Sequence, residues 1–356
     1  MLSLYLYLST GGPASIGDGQ QTSLTGGTGT QWKITGYMRM KPSNIGGQAL
    51  IEGIMMRHED QYAVAVRKPD QEIEIKTEPY KSVVPGKVVQ KIPLVRGVIS
   101  FIDSMAVGVS TLMYSASFYE EDEEELQKKA GRTEEENKKA EKKEQALMYG
   151  VFAFSMVIAI AVFMLLPYYL STIMGKVIKN HWALSLAEAL LRVAIFLGYL
   201  ALVSNMKDIR RTFMYHGAEH KCINCVEHGM PLTVDNVMKS SRFHKRCGTS
   251  FLFIVVIISA VLLMFIQTDS RILRVVYRLL LIPVIAGISY ELLRFAGRHD
   301  NPVVNFLSKP GLCLQRLTTR EPEPSMAEVA IAAVEAVFDW KAYLKENFGY
   351  DTEAGS

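Results

Sequence analysis

The chain has 356 residues, 49% of them hydrophobic, with a formal net charge of +3 and a mean hydropathy of +0.12. That hydropathy is high for a wholly soluble protein and low for one embedded in lipid along its whole length, which points to a partly membrane-embedded chain. The charge excess is too small for the concentrated basic face that nucleic-acid binding needs, and four cysteines, three of them gathered with histidines, exclude a secreted disulfide framework.

Residues 1–43 open on a short apolar run without a basic flank and continue rich in Gly, Ser and Thr. This is not a signal-peptide pattern; it predicts a disordered extension, with Met38 and Met40 as alternative starts. Residues 44–94 alternate apolar and polar in "YAVAVRK" and "EIEIK" around a Lys-Pro-Asp-Gln turn, the pattern of a β-hairpin in a small amino-terminal domain. Over 95–118 apolar residues such as Val95, Val98, Ile102, Met105, Val109 and Leu112 recur with helical period opposite Asp103 and Ser104, so an amphipathic helix is expected at the membrane interface or docked on the spans. If it crossed instead, the amino-terminal domain would lie on the other side of the bilayer from the His/Cys cluster. Residues 119–146 mix Glu, Lys and Arg and read as a solvated helix or linker.

Four stretches have the length and apolarity of membrane helices: Leu147–Leu170, Leu184–Met206, Phe251–Gln267 and Val275–Gly297. The first and third carry no charge. The second contains Glu188 and Arg192 at the spacing of an intrahelical pair, and the fourth contains Arg278, Glu291 and Arg294. The expected fold class is therefore mainly α, a polytopic membrane protein of about four transmembrane helices with a small β-containing amino-terminal cytoplasmic domain. Two spans fall in 147–206 and two in 250–298. Lys and Arg accumulate on the cytoplasmic side, and the connection 207–249 holds eight of them against two in 171–183 and two in 268–274. That loop and both termini are accordingly assigned to the cytoplasmic side of the membrane. Residues 299–356 are expected to form a Pro/Gly-broken linker, then a helix from Ser325 opened by a Ser325/Glu328 capping box.

The connecting loop carries the chemistry. His216 and His220 stand four apart, so on a helix they share a face and can hold one ion, and Glu219 completes His-x-x-Glu-His, in which the glutamate activates water. Cys222 and Cys225 have the spacing of a zinc knuckle, with His244 and Cys247 as a possible second half. Two models compete: a closed structural site of Cys222, Cys225, His244 and Cys247, or an open catalytic one on His216 and His220 with a third ligand from His244 or Cys247. The two knuckle cysteines also read as ordinary buried thiols. Thr249 and Ser250 are placed to cap the third span. Gln48, Glu52 and Arg57, polar groups in an apolar segment, are expected to meet this loop, and Glu291 to ligate the ion or hold a ligating histidine, with Arg294 as its alternative partner.

From "GGQALIEGIMMR", "HGAEHK", "RFHKRCGTSF", "SYELLRFAGR" and "PGLCLQRLTTREP", in this order over 44–337, the chain resembles the YqhQ-like bacterial membrane proteins, a family labelled as predicted metal-dependent enzymes of unknown reaction. The resemblance implies His216, Glu219, His220, His244 and Cys247 as site residues and does not require Cys222 and Cys225. The expected function is a cytoplasm-facing, membrane-anchored metal-dependent hydrolase with zinc as the expected cofactor and Glu219 as its catalytic group. The alternative is a membrane scaffold with a structural zinc that recruits cytoplasmic protein partners. A lipid bilayer is the other expected partner, and nucleic acid is not.

Overall fold

Alternation in the amino-terminal third becomes an antiparallel meander. In the computed structural model, which describes residues 23–25, 31–33, 40–84, 92–119, 134–266, 268, 270–298 and 302–349, short strands β1 (Ser23–Thr25) and β2 (Gln31–Lys33) pair with each other. Strands β3 (Gly46–Leu50), β4 (Gly53–His58), β5 (Gln61–Arg67) and β6 (Ile73–Pro79) then form a four-stranded sheet in sequence order. The expected turn is present, with Gln71 N–H donating to the Lys68 carbonyl at 2.9 Å, and it is one of three: Glu52, Glu59 and Gln71 each take positive φ where the chain reverses. The hairpin reading was thus half of the sheet. The rest of 1–43 up to residue 39 lies outside the described residues, but the extension ends before 43: Lys41 N–H donates to the Glu227 carbonyl at 3.1 Å and Ser43 is buried.

Both faces of this sheet are covered, so β4 and β5 are apolar almost continuously. Ile54, Met56 and Ala65 pack against helices α5 (Lys207–Glu227) and α11 (Pro324–Glu335), while Met55, Val64 and Val66 pack with Val107 and Tyr114 of α1 (Val95–Ala116). Each fully buried side chain of this size contributes about 1.5–3 kcal/mol. Helix α1 returns to the sheet that precedes it. Its Gly108 carbonyl accepts from Gln48 Nε2 at 3.4 Å and Ser115 Oγ from Ile51 N–H at 3.3 Å, while its first turn meets the carboxy-terminal half of the chain.

The apolar helices follow. Helix α2 (Glu134–Ile160) joins the charged segment, of which 120–133 lie outside the described residues, directly to the first apolar stretch. It runs through a π-helical turn (Ala161–Leu165) into α3 (Leu166–Met174). Pro167 has no N–H to give and its ring would crowd the carbonyl four residues back; the widened turn ahead of it accommodates both. Next are α4 (His181–Val203), α5, α6 (Val234–Lys239), α7 (Gly248–Met264), α8 (Arg271–Leu280), α9 (Ile282–Arg298) and α10 (Pro302–Thr318), then α11 and α12 (Trp340–Phe348).

Among the described residues, four helices are long and apolar enough to cross a membrane: Val95–Ala116, Ala146–Met174, His181–Val203 and Ile272–Ala296, the last spanning α8 and α9. The membership differs from expectation. Helix α7, over the expected third span, has 17 residues and so a length of about 25 Å, short of a bilayer core. The chain is mainly helical, with an amino-terminal antiparallel sheet.

Three further expectations are corrected. The connection 207–249, expected as a loop with its histidine pair on a helical turn, is mostly helix, α5 and α6. The linker 302–318 is a helix despite Pro310, packed so closely on α7 that a Cβ at Gly311 would stand 2.9 Å from Ser250 Oγ. The carboxy-terminal helix starts at Pro324 without a side-chain cap; Glu328 pairs with Arg67 at 2.7 Å, and Arg67 also donates to the Ser325 carbonyl at 2.8 Å. The proposed capping box is used to fasten α11 to β5.

Candidate metal centre

Helix α5 presents His216 and His220 one turn apart, their ring centroids 4.4 Å from each other. The Nδ1 of His216 is 2.8 Å from the Thr318 carbonyl and that of His220 is 2.6 Å from the Arg242 carbonyl. A carbonyl can only accept, so each Nδ1 carries a proton and Nε2 is the ring atom available to an ion, which would displace any proton held there against Cys247. Both Nε2 atoms face Cys247, whose Sγ is 3.3 Å from that of His216. The ligand atoms of His216, His220 and Cys247 all lie within 4.8 Å of one another. Cys247 is the N-cap of α7 and its sulfur accepts from Thr249 N–H at 3.4 Å, so the helix start expected to be capped by Thr249 and Ser250 is capped by Cys247. Ser250 instead accepts from Gln315 Nε2 at 3.1 Å.

The electrostatics pair the sulfur with the imidazoles. Burial pushes the Cys247 thiol up, but the adjacent His216 and His220 outweigh it and hold the thiol well below its ordinary range. Burial lowers His216 in turn, and the Cys247 sulfur more than compensates, raising it to about 9. Burial raises the Glu219 carboxyl, and the two histidines pull against it. Glu219 fits only because Gly47 of β3 has no side chain: a Cβ there would lie 2.8 Å from Oε1. Gly217 has a similar reason to exist, since a Cβ would run into the Arg320 carbonyl that the loop after α10 lays across α5.

Other expected site residues lie elsewhere. His244 does not join the three converging ligands. Burial lowers its pKa, so the neutral ring donates from Nε2 to Glu227 at 3.2 Å, and its backbone is clasped by Gln315 at 2.9 and 2.7 Å. Cys222 and Cys225 are buried in the core against α11, and Cys225 Sγ donates to the Pro231 carbonyl at 3.4 Å, so the four-ligand knuckle is not assembled. Glu291 is gripped by both arms of Arg96 on α1, with Nε at 2.6 Å from Oε1 and Nη2 on Oε2, and belongs to a helix–helix tie. Gln48 binds α1. Glu52 reaches α5 one turn ahead of His216, accepting from Tyr215 OH at 3.0 Å and pairing with Arg211. Arg57 stacks 3.2 Å from the Tyr80 ring centroid.

Several supporting groups carry no sequence motif. Glu227, fully buried, accepts from Ser43 N–H at 2.7 Å and pairs with His244 and Arg246; burial raises it, but these donors bring it down to about 2. Lys221 donates to the Met238 and Ser240 carbonyls at 2.9 and 2.8 Å, and Asn224 to those of Ser241 and Phe243 at 2.6 and 3.0 Å. Through these bonds α5 holds the 238–247 segment that delivers Cys247. One signal was legible: Glu227 lies seven residues after His220, on the same helical stripe. The contributions of Thr318 and Arg242 are backbone carbonyls, which leave no trace in a sequence.

The donor set, two imidazoles and a thiolate with fixed tautomers, fits a borderline-soft divalent ion such as zinc. The family described as "Protein of unknown function (DUF1385)" matches residues 92–340. "Uncharacterized protein YqhQ" of Bacillus subtilis (strain 168) is 36% identical over 307 residues, covering 86% of this chain and 96% of that protein. No solved structure matches. Neither description names a metal or a reaction, and both span the His216–Cys247 region, so the chain belongs to the DUF1385, YqhQ-like family.

Proposed function

We propose that this protein is a membrane-anchored hydrolase of the bacterial inner membrane whose site, on the cytoplasmic side, holds a divalent ion through His216 Nε2, His220 Nε2 and Cys247 Sγ. The observation that carries the reading is the convergence of these three atoms with both Nδ1 positions already committed to carbonyls. Three protein ligands leave a position open, as catalytic zinc sites do. When bound there, the ion supplies a Lewis acid that lowers the pKa of water and polarises a carbonyl or phosphoryl oxygen. Glu219, buried beside both histidines, accepts the proton as water adds to that centre and returns it to the leaving group. Its raised pKa suits a group that must both take and give a proton. Gly47 and the close cover of β3 keep bulk water from Glu219.

A second reading rests on the 3.3 Å contact between Cys247 Sγ and His216 Nε2. A low-pKa thiol at a helix N-terminus beside an oriented histidine is also the arrangement of a cysteine nucleophile. The scaffold alternative has less support, since it needs four protein ligands and Cys222 and Cys225 face the core. Metal analysis of the purified full-length protein separates these. The hydrolase reading expects about one ion per chain, lost in His216→Ala, His220→Ala and Cys247→Ser and kept in Glu219→Gln. A protein that cannot be loaded with any divalent metal, yet has Cys247 rapidly alkylated at neutral pH, belongs to the second reading.

A further inference from the structure

At the opposite end of α4 and α7 from the metal centre lies a cavity of about 450 Å³, bounded by Lys179, His181, Glu188, Arg192, Arg274 and Arg278 among others. Among the described residues of its lining, Glu188 is the one carboxylate, against four cationic side chains. Its oxygens are already used: Arg278 reaches them at 2.5 and 3.0 Å, Arg192 at 2.9 Å and Ser171 Oγ at 3.1 Å. The arginines are not correspondingly satisfied. Arg192 and Arg278 are 3% and 2% exposed, and the buried Nε of each, like that of Arg274, has no protein acceptor. Arg274 and Arg278 lean on the ring of Tyr168, their guanidinium carbons 5.7 and 4.6 Å from its centroid, which fixes their planes. The cavity also receives the amino-terminal ends of α4 and α8, whose partial positive charge favours an anion.

Burying more cationic groups than carboxylates at the end of apolar helices is unfavourable unless a further negative charge completes the cluster. We propose that this cavity binds a phosphate-bearing anion, with Arg274 and Lys179 as the entry contacts and Arg192 and Arg278 beneath them. The site stands apart from the metal centre, about one membrane thickness away along α4. Two sources share this chemistry: the headgroup of an anionic phospholipid entering from the bilayer and a free phosphate compound from the aqueous side. An arginine fork and a flat aromatic support suit tetrahedral oxyanions in either case.

The test uses the full-length protein in detergent and in nanodiscs. Inorganic phosphate is titrated against thermal stability, and native mass spectrometry records retention of phosphatidylglycerol against phosphatidylcholine. The expected result is stabilisation by phosphate, or selective retention of phosphatidylglycerol, weakened roughly tenfold in Arg274→Gln by loss of a charge-assisted contact. Lipid retention without a phosphate effect assigns the headgroup; a phosphate effect alone assigns the soluble anion. Lys179→Gln, an exposed position, gives the same reading if Arg274→Gln does not fold. Binding of neither probe overturns the proposal, as does an equal loss in Lys341→Gln, a surface change on the other side of the molecule.

Discussion

Glu227 illustrates how one buried carboxylate organises residues that the sequence scatters. It joins Ser43, His244 and Arg246 at the rim of the metal centre. Its folded pKa, about 2, is depressed from 4.5, so its stabilisation is complete above about 4.5 and is lost as the pH falls toward 2. Glu227→Gln is expected to cost about 3 kcal/mol at neutral pH, because Arg246 and His244 lose a buried partner. The gap in thermal midpoint between wild type and variant should narrow as pH is lowered from 7 to 3; a constant gap would show that Glu227 acts through packing alone. Gly47 makes a separate prediction. Gly47→Ala pushes a methyl into the Glu219 carboxyl, which has no backbone freedom to retreat on α5, and under the proposed hydrolase function lowers the rate at least about tenfold through a misplaced proton acceptor. Metal content should stay unchanged, since none of the three ligands touches Gly47; loss of metal would mean that β3 supports the ligands as well.

Among the elements, α1 and α9 are joined where their backbones nearly touch. A Cβ on Gly97 would meet Gly287 Cα at 3.0 Å, and one on Gly287 would meet the Leu94 carbonyl at 2.8 Å. Small residues permit this approach, and the Arg96–Glu291 fork locks it. Glu291→Gln therefore should leave bound metal at the wild-type level and lower the thermal midpoint, which equilibrium metal analysis and a thermal scan in detergent would read together. A fall in metal content would return Glu291 to the site that its position along the sequence had suggested. Helix α5 shows the converse relation between element and site. Its cluster of polar residues looked like a loop because Lys221, Asn224 and Glu227 interrupt the apolar period. All three are buried, and they satisfy the backbone of the neighbouring segment, which periodicity does not register.

For the whole molecule, the sheet and the His216, His220 and Cys247 cluster share one end of the helices. Residues leaving β6 run beside α1, with Val83 N–H donating to Asp103 at 2.8 Å, and α1 then climbs back to β3. Because α11 packs on both α5 and the sheet, all three are expected on one side of the bilayer, which requires the short α7 to cross with α2–α3, α4 and α8–α9 while α1 does not. On that topology, cysteines introduced at Glu72, in the sheet, and Asn236, in α6, should both resist an impermeant reagent in intact cells. One at Lys176 should react. Reaction at 72 but not at 236 would make α1 a crossing helix, and reaction at 236 would reverse the orientation.

The chain by itself determined what depends on neighbours in sequence: apolar runs long enough for lipid, two strand-forming runs, β5 and β6, around the turn at Lys68–Gln71, and the His216/His220 pair one helical turn apart. It offered His244 and Cys247 as alternative third members and did not choose between them. Which of His244, Cys222, Cys225 and Glu291 would join that pair was decided by tertiary structure. Each sits at a distance from His216 that many folds satisfy equally, and only the packing of α11 on α5 buries the two cysteines, only Glu227 claims His244, and only the approach of α1 to α9 gives Glu291 to Arg96. Spacing along a helix fixes a shared face; contacts between distant elements depend on the sum of all the others, and no short pattern records them.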